Sequence, residues 1–124
     1  YQSVDGGSKM ALLKETATVL GNTTQYGLSD AVKKYTLRDT GFMPTNNGNF
    51  QLERPLDPNS PFNTAIKLKI TVGKELKTLK MSVTSADGLY PVNIFKDEKN
   101  AENVEQFNFI INHLIERDIL VAQA

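Results

Sequence analysis

Residues 66–84 have the sequence IKLKITVGKELKTLKMSVT, and this stretch decides the class of fold. Apolar and polar side chains alternate on both sides of a short turn that begins at Gly73. Alternation with a period of two is typical of β-strands that have one buried and one exposed face. Two such strands joined by so few residues pair antiparallel, so the stretch predicts a β-hairpin.

The residues on both sides of the hairpin predict further strands and therefore an antiparallel meander. Asn47-Gly48 supplies the positive φ angles that a tight hairpin turn needs, and Asp87-Gly88 predicts a second turn. Pro91 indicates an edge or a bulge in the strand that follows this second turn. The strands predicted outside the hairpin are 12–20, 24–27, 42–43, 49–54 and 89–95.

Two helices complete the predicted elements. Ser29 is a suitable N-cap and Gly41 a suitable stop for a short helix near residues 30–39. A long helix is predicted over roughly 99–118, where six large apolar residues fall on one stripe. The side chain of Phe109 lies away from that stripe, which predicts a second covering layer on its side. The stripe consists of Val104, Phe107, Ile110, Ile111, Leu114 and Ile115.

Length and composition are those of one globular domain. The chain has 124 residues, of which 40% are hydrophobic and 23% charged, far from the composition of a disordered protein. Residues 1–9 (YQSVDGGSK) are interpreted as the remnant of a cleaved expression tag, and residues 10–124 as a single α+β domain. Apolar runs are far shorter than the ~18 residues that a membrane span needs, and no signal peptide follows Met10. These features predict a soluble cytoplasmic protein.

Two counts exclude whole classes of function. The chain has no cysteine, so it forms no disulfide, thiolate metal site or iron–sulfur centre, and it has no thiol nucleophile. Its 14 basic and 14 acidic residues give a net charge of zero, whereas a general nucleic-acid or anionic-membrane binder needs a basic excess. With one histidine and no calcium-loop spacing, the sequence also predicts no metal site.

A group of arginines and aspartates is the first candidate ligand site. Arg38 precedes Asp39 at the end of the short helix, and Arg54 lies close to Asp57 at the start of the proline-rich stretch 55–63. A guanidinium forms a planar fork that binds carboxylate, which suits an amino-acid-like ligand. The alternative is a structural ion pair that fixes the stretch to the helix. The predicted ligand-binding residues are Arg38, Asp39, Arg54, Asp57 and Asn63.

A group of lysines is the candidate docking surface for a protein. Residues 67–80 carry five lysines and one glutamate, whereas residues 97–118 carry six acidic residues and two basic ones. Strand alternation places Lys67, Lys69 and Lys80 on one face of the hairpin. This face could dock an acidic partner or an anionic metabolite, or it could be a solvated sheet face whose lysines prevent edge-to-edge aggregation.

Four segments give the chain a resemblance to a known family. They are KKYTLRDTGF (33–42), GNFQLERPLDPNSPFN (48–63), VNIFKDEKN (92–100) and VEQFNFIINHLIERDIL (104–120). They resemble domain of unknown function 1831, a family of lactic acid bacteria assigned to amino-acid metabolism. The resemblance implies an α+β fold in which two antiparallel β-sheets pack against one long C-terminal helix.

The same resemblance implies a remote likeness to S-adenosylmethionine decarboxylases, which the sequence itself tests. Those enzymes form a pyruvoyl group by cleaving a Glu-Ser bond, and none of the seven glutamates in this chain precedes a serine. A shared fold therefore does not bring that mechanism with it.

These observations favour a protein without catalytic activity. We expect an accessory or ligand-binding protein of cytoplasmic amino-acid or sulfur metabolism that needs no cofactor. The expected partners are an amino-acid-like metabolite or, as the resemblance implies, a metabolic enzyme such as cysteine desulfurase. The alternative is a small enzyme that acts on an amino-acid derivative, with His113 or a carboxylate as its general base.

Overall fold

This computed structural model describes residues 15–57 and 64–123. These residues contain seven strands and two α-helices. A short 3-10 helix, Glu98–Asn100, leads into the second α-helix. The strands are β1 (Thr16–Ala17), β2 (Gln25–Leu28), β3 (Met43–Pro44), β4 (Phe50–Pro55), β5 (Lys67–Val72), β6 (Leu79–Thr84) and β7 (Leu120–Gln123), and the helices are α1 (Lys34–Asp39) and α2 (Ala101–Glu116).

The larger sheet confirms the predicted meander. Its strands lie in the order β3-β4-β5-β6, and every neighbouring pair is antiparallel. Phe50 pairs with Val72, which in turn pairs with Leu79, and all three side chains are buried. The apolar residues of the three long strands therefore lie on one face of the sheet, as their alternation predicts.

A smaller sheet joins the two ends of the described chain. Its order is β1-β2-β7, so β2 lies between the N-terminal strand and the strand that follows α2. Gln25 pairs with Gln123, and Leu28 pairs with Leu120. The sequence patterns did not predict β7, and they extended β1 well beyond the two residues that pair; residues 12–14 lie outside the described residues.

Helix α2 packs its apolar stripe into the core that the two sheets share. Phe107 is fully buried, and its ring meets that of Phe95 edge to face, with centroids 5.6 Å apart. Ile110, Ile111 and Leu114 are at most 2% exposed. The structure is thus an α+β fold of two antiparallel sheets and a long C-terminal helix, as the family resemblance implies.

The two helices end in the same way but with different residues. After α1, Gly41 adopts a φ of +108°, its N–H bonds to Arg38 O, and the Phe42 N–H bonds to Leu37 O. After α2, Asp118 adopts a φ of +61°, its N–H bonds to Ile115 O, and the Ile119 N–H bonds to Leu114 O. Both sets of bonds form a Schellman motif, which turns the chain back towards the core.

Three further features differ from the predictions. Helix α1 begins at Lys34 rather than at residue 30, because the Ser29 hydroxyl accepts a bond from the Ala31 N–H and holds a turn there. The predicted strand 89–95 is absent except for one bridge between Thr84 and Pro91, whose nitrogen has no hydrogen to continue a ladder. Nothing in the described residues covers Phe109, which is 65% exposed, so the predicted covering layer was wrong.

No helix within the described ranges is both long and apolar enough to cross a lipid bilayer.

Candidate functional site

The predicted arginine and aspartate group is divided between the two ends of α2. At the C-terminal end, Asp39 Oδ2 lies 4.0 Å from Arg117 Nη2, and both side chains are largely exposed. Arg38, beside Asp39 in the last turn of α1, is also exposed. Asp39 therefore pairs with Arg117, which the sequence patterns did not predict.

At the N-terminal end of α2, the amide of Asn103 holds the end of β4. Asn103 is only 8% exposed, and its Nδ2 donates to Leu56 O at 2.9 Å. Arg54 and Asp57 flank this carbonyl and are half-buried. Asn103 and Arg117 are separated by 14 positions, so these two anchor points lie about 21 Å apart along the helix axis.

The structure therefore does not bring Arg38 and Asp39 together with Arg54 and Asp57. Asn63, the fifth residue of the predicted group, lies outside the described residues. Any ligand site at Arg54 would consist of that end of β4 alone, and its role stays a prediction.

The lysine face of the hairpin presents less charge than the sequence indicates. The register of β5 and β6 places Lys67, Lys69 and Lys80 on the same side. Lys67, however, is only 8% exposed, and its Nζ donates to Ala86 O at 3.0 Å. Lys69 Nζ lies 3.8 Å from a carboxylate oxygen of Glu53, so part of its charge is compensated within the sheet.

His113 lies exposed in the last turn of α2. It is four positions after Phe109, so the two side chains share one side of the helix. No hydrogen bond or ion pair of its imidazole connects it to another described side chain. Within residues 15–57 and 64–123, no three His, Asp or Glu side chains are close enough to hold a metal ion.

An open groove lies between the small sheet and the β5–β6 turn and is a candidate site for a small molecule. Its volume is about 1050 Å³, at the upper end of the roughly 300–1,000 Å³ typical of small-molecule sites. One wall is the turn at residues 75–78, and the other consists of β1, the end of β2 and the turn after it. Its lining residues are Glu15, Thr16, Gly27, Leu28, Ser29, Asp30, Val32, Glu75, Leu76, Lys77, Thr78 and Gln123.

The groove has three half-buried apolar residues, and two backbone features help shape it. Leu28, Val32 and Leu76 all pack partly against the core. Gly27 leaves the middle of the small sheet without a side chain, and a Cβ there would lie 2.7 Å from Nε2 of Gln123. Leu76 has a φ of +61°, which is an uncommon conformation for a leucine. Its turn is closed by one bond from the Leu76 N–H to Gly73 O and another from the Gly73 N–H to Thr78 O.

Charged and hydroxyl groups surround this apolar part. Glu15, Asp30 and Glu75 contribute three exposed carboxylates, and Lys77 contributes one exposed ammonium group. The hydroxyl of Ser29 accepts from the Ala31 N–H at 3.0 Å and still has its own hydrogen to donate. The groove therefore presents both signs of charge beside an apolar surface.

Sequence reasoning missed all of the groove residues. They come from four separate parts of the chain, and each charged one lies in or beside a turn, where polar residues are expected anyway. No local pattern marks them, because the groove exists only once the small sheet lies beside the hairpin.

One carboxylate outside the groove shows a clear electrostatic effect. The Ser85 hydroxyl donates to Asp87 Oδ1 at 2.6 Å and the Leu89 N–H donates to it at 3.0 Å, so the pKa of Asp87 is held below its ordinary value of 3.8. These bonds order the turn after β6. Asp87 is fully exposed and does not line the groove.

The fold and the groove define the class of this molecule: an α+β protein with two antiparallel sheets, one long helix and an open, charged groove. Its sequence matches the model of a family described as "Putative amino acid metabolism", DUF1831, over residues 10–121. The chain belongs to this DUF1831 family. Its structure is similar to the crystal structure of a DUF1831 family protein from Lactobacillus plantarum, with a TM-score of 0.82 and 44% sequence identity over 90% of this chain and 97% of that chain. No curated protein matches.

Proposed function

We propose that this protein is a non-catalytic binding protein of cytoplasmic amino-acid metabolism that holds a free amino acid in the groove. The observation that carries the proposal is the presence of both signs of charge around an apolar surface. Lys77 would bind the α-carboxylate, and one of the carboxylates of Glu15, Asp30 and Glu75 would bind the α-ammonium group. The family description, amino-acid metabolism, supports the same class of ligand.

The exposure of the groove supports binding rather than catalysis. Its charged side chains are all exposed, so water screens them and their charge-assisted hydrogen bonds are weak ones. Catalysis at such a site would lack the dry, preorganised electrostatics that stabilise a transition state. His113, the general base of the alternative enzyme hypothesis, lies on α2 and does not line the groove.

A protein partner such as cysteine desulfurase is compatible with this proposal. Lys69 and Lys80 are half-buried residues on the outer face of the larger sheet, away from the groove. Loading of the groove and docking of an acidic partner at that face would not compete for the same residues.

The test is a thermal-shift and calorimetric screen of the full chain with the free L-amino acids. A ligand at 100 times its Kd stabilises the folded state by about 2.7 kcal/mol. With an unfolding entropy near 2.1 cal/mol/K per residue, 124 residues would shift their Tm by about 10 °C. If no amino acid at 10 mM changes the Tm or gives binding heat, the proposal is wrong.

Two lysines of the same turn provide a matched pair of variants. Lys77 lines the groove, whereas Lys74 is equally exposed in that turn but does not line it. We expect Lys77→Met to weaken amino-acid binding by up to about fivefold and Lys74→Met to leave it unchanged, since an exposed ion pair is worth about 0.2–1 kcal/mol. Equal affinities of the two variants would place the ligand elsewhere.

A further inference from the structure

We propose that the groove selects amino acids whose side chain ends in a cation, such as L-lysine, L-ornithine and L-arginine. This inference rests on the proposed function, because it specifies the ligand of the same groove. It starts from an imbalance among the described lining residues, which have three carboxylates and one ammonium group. A neutral zwitterion would use Lys77 and one carboxylate and would leave two carboxylates of the groove without an opposite charge.

The apolar residues of the groove make the site suitable for an organic amine rather than for a simple cation. Leu28, Val32 and Leu76 are half-buried and present aliphatic side chains beside the charged groups. The methylene stem of a lysine or an arginine packs on such a surface while its charged end stays in water. A metal ion would gain nothing from these residues, and the lining does not supply a cluster of metal ligands.

The three carboxylates come from both walls of the groove. Glu15 precedes β1, Asp30 follows β2, and Glu75 lies in the β5–β6 turn on the other wall of the groove. A ligand that places its α-carboxylate at Lys77 would have the Glu75 carboxylate two positions earlier in the same turn. The carboxylates of Glu15 and Asp30 would lie on the other wall of the groove. This arrangement matches one anionic and two cationic groups on a flexible stem.

The same charges act against acidic amino acids. The side-chain carboxylate of L-glutamate would meet the surplus of negative charge, and like charges repel each other. Because the groups are exposed, salt screens the selectivity, which should fall as the ionic strength rises above 0.15 M, where the Debye length is about 8 Å.

The experiment compares ligands that differ only at the end of the side chain. Binding of L-lysine, L-norleucine and Nε-acetyl-L-lysine to the full chain is measured by calorimetry, with L-glutamate as the anionic comparison. We expect L-lysine to bind severalfold more tightly than the two uncharged analogues, and L-glutamate to bind most weakly. Equal affinities for L-lysine and L-norleucine would overturn this inference and leave the proposed function intact, whereas no binding by any of the four would overturn both.

Variants separate a specific contact from general attraction. Glu75→Gln removes a groove carboxylate, and Glu105→Gln removes an exposed carboxylate of α2 that does not line the groove. We expect the first to reduce the preference for L-lysine over L-norleucine severalfold and the second to leave it unchanged. If both variants reduce the preference equally, the protein attracts cations only through its overall field, and the inference fails.

Cadaverine has both amines but no carboxylate; binding as tight as that of L-lysine would show that Lys77 holds no α-carboxylate and would overturn the proposed function as well.

Discussion

Replacing Asn103 by alanine tests whether the buried amide holds β4 against α2. The Asn103 Nδ2 is the donor to Leu56 O, and its Oδ1 accepts from Asn100 Nδ2 at 2.8 Å. Leu56 is fully buried, so its carbonyl has no water to replace the lost donor. Asn100 is half-buried, and its amide can turn to solvent. The alanine variant therefore leaves one acceptor, the Leu56 carbonyl, without a partner.

The free-energy change follows from that one acceptor. A buried polar group that loses its partner costs about 1–3 kcal/mol. Alanine recovers about 0.5 kcal/mol because its helix propensity is higher than that of asparagine. The variant should lose about 1.5 kcal/mol. With the unfolding entropy used above for 124 residues, this corresponds to a fall in Tm of about 6 °C.

The assay is urea denaturation followed by far-ultraviolet circular dichroism, with Asn108→Ala as the control. Asn108 is an exposed residue of the same helix, so its replacement changes only helix propensity and should be neutral or slightly stabilising. A midpoint for Asn103→Ala equal to that of Asn108→Ala, at an unchanged slope, would refute the argument that the buried amide stabilises the fold.

Two further predictions concern turns. Gly21 has a φ of +86° and a Cβ there would overlap the carboxamide of Asn93, whereas Gly88 has a φ of +78° in open space. Gly21→Ala should therefore lower the free energy of unfolding by about 2 kcal/mol more than Gly88→Ala, and equal losses in thermal denaturation would contradict this. Ser85→Ala should raise the pKa of Asp87 towards 3.8 in an NMR titration. In the wild type, the stabilising effect of the Asp87 carboxylate is present above its ordinary pKa and is lost as the pH falls through its lower folded pKa. If Asp87 has the same pKa in the Ser85→Ala variant as in the wild type, the Ser85 hydroxyl is not the cause of the lowered pKa.

The parts of the fold that the sequence predicts are those with a local signal. The alternation on both sides of Gly73 indicates the hairpin, and the stripe along α2 indicates a helix that packs on it. Gly41 was a correct stop for α1 because glycine is the common residue at that point of a Schellman motif. Asp118 occupies the same point after α2, and since aspartate is less typical there, the predicted helix ran on to residue 118.

The parts that the sequence does not predict depend on distant residues. Strand β7 has four residues and no alternation, and it is a strand only because β2 lies beside it. The exposed Phe109 shows the reverse error, because apolarity alone indicated a covering layer that the described residues do not contain. The candidate groove combines both difficulties, since its lining comes from separate turns and its position depends on how the small sheet meets the hairpin.

The pairing of β2 with β7 has a consequence for the synthesis of the protein. Leu28 pairs with Leu120, so the two partners are made about 90 residues apart. At roughly 5–20 residues per second, a ribosome makes the second about 5–20 seconds after the first. During that time β2 waits with one edge unpaired, and the wall of the groove that contains Gly27 and Gln123 does not yet exist. The candidate groove can therefore be complete only after residues 120–123 have been made and have paired with β2.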